Sequence, residues 1–425
     1  MLAKTLRRWK QVGILAVSKI LLACCVIPAS PALAQEPIKI GFSMALTGGL
    51  AGGGKSALIA MQIWRDDINA KGGLLGRKVE LVYYDDQTNP AQVPAIYTKL
   101  LDIDEVDLIV SGYGTNLIAP ALPLVMQRDL MFPSLFGLGA NEKFKYPCYF
   151  QIMPAGPKPK QDWSRNWFKV AMELEPKPKT IALVGADAEF ARNAVDGARE
   201  NAKELGLKIV YDQAYPPKTP DFTPIVRAIQ ARKPDIVYVG SYPPDSVGMV
   251  KAATEVGLDV NMFGGGMVGL QFATIQKALG EKLNGVVNYH FYVPEPTLKF
   301  PGVEEFLKKY QAKAANAGVD PLGYYLPPFA YAYLQVLEQS ANAVGALDQG
   351  KMCEHARKST FKTVVGDVKF APNGEWDRPR ALMIQFQGVK GNDLEQFTKP
   401  GTQVVLSPKE LKSGDLRAPY SAARQ

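Results

Sequence analysis

The feature that most limits the fold is a rhythm of short apolar strands alternating with amphipathic helices, repeated in two successive runs. In the first, strands fit 38–46, 78–84, 106–110 and 130–136, with helices at 56–70, from near Pro90 and from near Asn116. A Pro- and Gly-bearing stretch over 148–159 breaks the pattern, and it then restarts. Strands fit 180–184, 208–211 and 236–239, with helices at 191–205, 222–232 and 246–256. Strands separated by helices cannot be joined by hairpins, so each run predicts a parallel sheet with helices on both faces. The two runs match in architecture, not in letters.

From 286 to 301 the texture changes again, with Pro294, Pro296 and Pro301 and no helical period. Helices fit 303–315 and 329–344, and a strand pair is expected at 364–370 and 381–386. The tail past Pro408 is expected to be mobile. The boundaries read from this are 35–153 plus 292–377 for one lobe, 154–291 plus 378–408 for the other, and a tail over 409–425.

The first 34 residues read as an export signal. Lys4, Arg7, Arg8 and Lys10 precede an apolar run to Ile27, and Ala32-Leu33-Ala34 offers a small-x-small cleavage site before Gln35. Lys19, Pro28 and Pro31 interrupt the run, which argues against a membrane anchor. Leu21-Leu22-Ala23-Cys24 offers a lipid-anchored alternative, opposed by the charge of Lys19 close upstream. The leader decides how charge is read. Removing its five basic residues from a formal +8 leaves +3, so the basic pI is no footprint of nucleic acid. About 390 residues remain, enough for two domains.

Two of the four cysteines leave with the leader. Cys148 and Cys353 stay, and their spacing leaves pairing open. The only histidines, His290 and His355, lack ligand-spaced neighbours, so neither a metal site nor histidine-based catalysis is expected.

Gly49 to Ser56 spells G-x-x-x-x-G-K-S between a strand and a helix, and the strand reaching Asp85 and Asp86 mimics a Walker-B partner. A nucleotide hydrolase is the reading this spelling invites. An exported chain meets essentially no ATP, and a run of glycines matches the pattern easily. The competing reading is a flexible turn whose glycines let a ligand approach backbone.

A longer match points elsewhere. Leu46-Thr47-Gly48-Gly49, the segment Asp66-Asp67-Ile68-Asn69-Ala70-Lys71-Gly72-Gly73-Leu74-Leu75-Gly76-Arg77, the strand reaching Asp85-Asp86, and Pro90 resemble the substrate-binding proteins of branched-chain amino-acid ABC transporters. The resemblance covers nearly all of the mature chain. It implies an α/β type I periplasmic binding fold: two Rossmann-like lobes with parallel central sheets, a three-segment hinge and a ligand cleft. It further implies a binding protein, not an enzyme, that needs no cofactor. Its partners would be a small molecule and membrane permease subunits, and it would act as a periplasmic monomer. A sensor of the same fold is the alternative.

In parallel sheets, ligands meet the loops that leave the carboxyl ends of strands. Tyr113-Gly114-Thr115-Asn116 joins a strand to a helix, where amide groups and a hydroxyl suit a carboxylate, or where Thr115 or Asn116 merely caps the helix. The resemblance adds the next loop, Gly137-Leu138-Gly139, and aromatic residues at Phe190 and Tyr242 on the second lobe. It also exposes a departure. Amino-acid binders place an acid on the following loop to meet the ligand's ammonium, whereas the stretch Phe263-Gly264-Gly265-Gly266-Met267-Val268 holds none. Gly266 and Met267 are therefore candidate contacts of an apolar wall, and an aromatic or aliphatic acid or amide fits it better. Asp187 and Glu189 are the nearest acids that could substitute.

Overall fold

The computed structural model describes residues 35–298 and 301–424. The export signal and the Cys24 alternative lie outside the described residues. The body from Pro37 onward carries the whole pattern.

The first run is β1 (Ile38–Met44), α1 (Ala51–Ala70), β2 (Val79–Asp85), α2 (Val93–Asp102), β3 (Leu108–Ile109), the short α3 (Thr115–Ile118) and α4 (Leu122–Gln127), then β4 (Phe132–Ser134) and β5 (Tyr149–Gln151). The second is α5 (Pro159–Ala171), β6 (Thr180–Ala186), α6 (Glu189–Glu204), β7 (Lys208–Tyr215), α7 (Thr223–Ala231), β8 (Ile236–Ser241), α8 (Pro243–Val256), β9 (Met262–Met267), α9 (Ala273–Leu279) and β10 (Val286–His290). The chain closes with α10 (Val303–Ala314), α11 (Pro327–Val344), α12 (Gln349–Lys358), hairpin β11 (Thr360–Thr363) and β12 (Gly366–Lys369), then β13 (Leu382–Phe386), β14 (Gln403–Ser407) and α13 (Tyr420–Ala423).

Two sheets result. In the first, β2-β1-β3 is parallel, and a bridge between Tyr113 and Leu135 carries it on to the parallel pair β4-β5. The second has the order β14-β13-β10-β9-β8-β6-β7. Its first five strands by sequence run parallel, while β13 and β14 add an antiparallel edge. Strands β6 and β8 are buried almost end to end, as their unbroken apolar runs require of a sheet covered on both faces.

The chain passes between the sheets three times. It does so from β5 to α5, which packs on α6; from β10 to α10 and α11, which pack on α1; and from β12 to β13, which pairs with β10. These are the two lobes and three connections of a type I periplasmic binding fold.

The turn at 69–79 shows why its sequence is so constrained. The Asn69 side chain accepts from the Val79 amide at 2.7 Å and donates to the Val79 carbonyl at 2.9 Å, fastening the end of α1 to the start of β2. Gly73 has φ +85°, and a Cβ there would stand 1.9 Å from the Arg77 carbonyl oxygen, so only glycine closes the turn.

Four expectations change. Helix α1 begins at Ala51, not residue 56, so Gly52, Gly53 and Gly54 of the apparent phosphate loop are helical. The stretch 349–358 is a helix that its charged composition hid. Segments 364–370 and 381–386 do not pair: β12 pairs with β11, and β13 lies between β10 and β14. The tail is not loose. Tyr420 is fully buried, its ring 5.1 Å from that of Phe263, and the Arg417 amide donates to Gln385. Cys148 and Cys353 are joined by a disulfide with Cα atoms 5.4 Å apart, tying the start of β5 to α12.

Candidate functional site

The loop from β3 into α3 ends on Gly114 at φ +101°, a conformation that aims the following amides and side chains off the sheet end. Helix α3 is a single turn, so its dipole is small and the individual N–H groups matter more. The buried Thr115 hydroxyl accepts from the Leu138 amide at 3.0 Å, leaving its own hydrogen to donate elsewhere. The buried Asn116 Oδ1 has no partner. An unpaired buried amide oxygen beside a hydroxyl is a mark of a polar ligand site.

Across from this loop stand two aromatic side chains of the second lobe. Phe190 occupies the first turn of α6 and Tyr242 directly precedes α8. Their rings are 5.9 Å apart, edge to face, and the Tyr242 hydroxyl accepts from the Phe190 amide at 3.2 Å. Trp163 backs Phe190 at 6.0 Å.

Tyr113, Gly114, Thr115, Asn116, Phe190 and Tyr242 line one cavity between the lobes. Leu50, Phe136, Met153, Val268 and Tyr325 complete it. No acidic, basic or histidine side chain is among these lining residues. Its free volume is about 20 Å³, room for little more than one water, so a ligand enters only as the lobes part or the rings turn. Burial, reinforced by the nearby Tyr325 hydroxyl, lifts the Tyr113 phenol well above its ordinary value, and burial does the same for Tyr242. Both stay neutral and can donate hydrogen bonds.

Phe136 adopts φ 64°, an unusual backbone for a bulky residue. The rings of Phe291, Tyr325 and Phe329 enclose it, each 5.1–5.3 Å away. Its strain sits where the loop meets the cavity, and the Gln151 side chain fixes it by accepting from the Phe136 amide and donating to the Gly137 carbonyl.

The remaining sequence candidates lie around this cavity. Leu138 is fully buried behind Thr115. Its carbonyl accepts from Asn193 of α6 at 2.8 Å, a bond from one lobe to the other. Gly137 lies in the network behind the cavity, and Gly139 faces a more open cleft at the rim beside Lys160 and Glu189. Lys160 meets Glu142 at 2.8 Å, a second tie between lobes. Gly266 and Met267 remain inside β9, and Val268, the next residue, reaches the cavity. Met153 and Tyr325 were not among the sequence candidates. They come from a crossing segment and from the approach to α11, where no strand end marks them.

The apparent phosphate loop has another use. A Cβ on Gly54 would lie 1.9 Å from the Ala45 carbonyl oxygen, and one on Gly53 would lie 2.6 Å from the Tyr113 ring, so these glycines let α1 pack closely. Ser56 donates to Gly52 within the helix, and the Asp85 carboxylate receives the amides of Leu46, Thr47 and Gln87. The hydrolase reading therefore fails: the glycines do not form a cradle and the carboxylate is committed. Neither substitute acid enters the cavity. Asp187 pairs with Arg192 at 2.8 Å on the surface, and Glu189 stays at the rim. Among the described residues, no cluster of His, Cys, Asp and Glu fits a metal ion, and no helix is long and apolar enough to cross a membrane.

A family model described as periplasmic binding protein matches residues 37–392. The chain belongs to that family. Members of the periplasmic binding protein family are substrate-binding components of ABC transporters, not enzymes. Among curated relatives, a Leu/Ile/Val-binding protein homolog from Brucella abortus is 23% identical over 376 residues, covering 87% of this chain and 95% of that protein. Among solved structures, the branched-chain amino-acid transporter substrate-binding protein LivJ of Streptococcus pneumoniae, in complex with isoleucine, superposes with a TM-score of 0.71 at 21% identity, covering 88% of this chain and 100% of that one. A solute-binding protein of an ABC transporter from R. palustris, in complex with benzoate, reaches 0.72 at 16% identity, covering 87% and 96%.

Proposed function

We propose that this periplasmic binding protein captures an aromatic carboxylate between its lobes and delivers it to the permease of an ABC importer outside the cytoplasm. The observation that carries this reading is the uncharged lining of the cavity between Thr115 and Tyr242. An α-amino acid would bury its ammonium with no carboxylate to meet it, which costs several kcal/mol. A benzoate-like ligand has no such group. Its carboxylate fits the Thr115 hydroxyl and the amides of Thr115 and Asn116, and its ring fits the faces and edges of Phe190, Tyr242 and Tyr325. The benzoate-bound neighbour makes this ligand class compatible with the fold. Export through the leader, cleavage before Gln35 and a monomeric state belong to the same proposal, as do lobes over 35–153 plus 292–377 and 154–291 plus 378–408.

Thermal denaturation with a panel of ligands tests it. Benzoate and 4-hydroxybenzoate are expected to raise the melting temperature, because a ligand held only by the native state stabilises it by mass action. Leucine, isoleucine and valine are expected to leave it unchanged. A panel in which the branched-chain amino acids stabilise and the aromatic acids do not would overturn the reading.

A further inference from the structure

Next to the tight cavity lies a larger chamber of about 270 Å³, open on one side to solvent. One wall is Gly49, in the turn before α1, with Gly52 and Gly53 of the first turn of α1, and the opposite wall is Pro243, Val247 and Ile275 of the second lobe. Tyr113 lines the inner cavity and abuts Gly53, and Phe272 of the chamber packs edge to face on Tyr325 of the cavity at 5.4 Å. The two spaces are therefore lined by residues in contact with one another.

The glycines differ in what holds them. Gly53 and Gly54 are enforced by the neighbours described above. Gly49 and Gly52 are not: neither has positive φ, and a Cβ on either would meet no atom within 4 Å. Gly52 lines the chamber and a Cβ there would point into open space, so a larger side chain at this position would occupy part of it. Asp320 forms the base. Its carboxylate accepts from the amides of Ala273 at 3.0 Å and Gly323 at 3.1 Å, so both oxygens are committed. A ligand group that carried negative charge here would face that carboxylate.

We propose that this chamber is a second subsite that takes the distal, uncharged apolar end of an aromatic carboxylate extended at its para position. The subsite rests on the functional reading above and deepens it. The tight cavity holds the carboxylate and ring, and the glycine-walled chamber sets how long a para substituent is accepted.

Calorimetric titration of the mature protein with benzoate, 4-propylbenzoate and terephthalate tests this, alongside Gly52→Leu. The propyl group buries methylenes in the chamber, so 4-propylbenzoate is expected to bind the wild type about tenfold more tightly than benzoate. Terephthalate, with its second carboxylate facing Asp320, is expected to bind more weakly than benzoate. Gly52→Leu is expected to weaken 4-propylbenzoate about tenfold or more while benzoate changes less than about threefold. Should Gly52→Leu not fold, Ile275→Trp narrows the same chamber from the other lobe and is expected to discriminate in the same way. Benzoate binding without any gain from the propyl group, or a loss equal for both ligands, would overturn the subsite alone. Failure of all three acids to bind the wild type would overturn the functional reading and the subsite with it.

Discussion

Asp86 ends the run that looked like a Walker-B strand, and its role is readable from its surroundings. The side chain is fully buried, one oxygen receives the Thr88 amide, and the Ser43 hydroxyl lies nearby. Burial is the largest influence and pushes its pKa from 3.8 to about 6, with the Asp85 charge adding to it. Because the folded value lies above the unfolded one, this carboxyl favours the folded state fully below pH 4 and loses that contribution as pH rises to 6 and beyond. The contribution is up to about 3 kcal/mol for a shift of this size. Asp86→Asn should flatten this part of the profile. Urea denaturation at pH 4 and pH 7 is expected to show the wild type losing more stability over that interval than the variant, and equal losses would contradict the assignment. At this scale the sequence was legible where chemistry and position coincide. Thr115, Phe190 and Tyr242 follow strand ends and meet in one cavity, whereas Met153 and Tyr325 reach it only through the path of the folded chain.

At the scale of elements, buried strands declared themselves because β6 and β8 are unbroken apolar runs, and α8 ends at Gly257 in the left-handed conformation as its glycine signals. The start of α1 did not, since glycines at 52–54 read as a turn when only tertiary packing shows that close approach to Tyr113 and Ala45 is the reason for Gly53 and Gly54. Helix α12 was hidden by its charged and polar residues, since only Met352, Cys353 and Ala356 of the helix are buried. The disulfide from Cys353 to Cys148 holds that helix to the start of β5 across a sequence separation of 205 residues. A cross-link closing so long a loop restricts the unfolded chain strongly, and removing one costs about 2–5 kcal/mol. The double variant Cys148→Ser, Cys353→Ser should melt at a lower temperature in calorimetry than the oxidised parent. Coincident melting curves would show that the cross-link contributes nothing to stability.

For the whole molecule, the order of the sheets and the three passages between them make the ligand cavity a property of the assembled pair of lobes. Asn193 to the Leu138 carbonyl and Lys160 to Glu142 join the lobes beside it, and contacts of this kind exist only when the two sides meet. A ligand favours that state only through what it gains there and not in the open one. The central claim is therefore that both lobes grip the same small molecule. Calorimetric titration of benzoate into the wild type, Thr115→Val and Tyr242→Ala tests it most directly. The account predicts that each substitution, one on either lobe, weakens binding about tenfold or more, as loss of a hydrogen bond to a charged group or of a ring contact does. Unchanged affinity in either variant would contradict it.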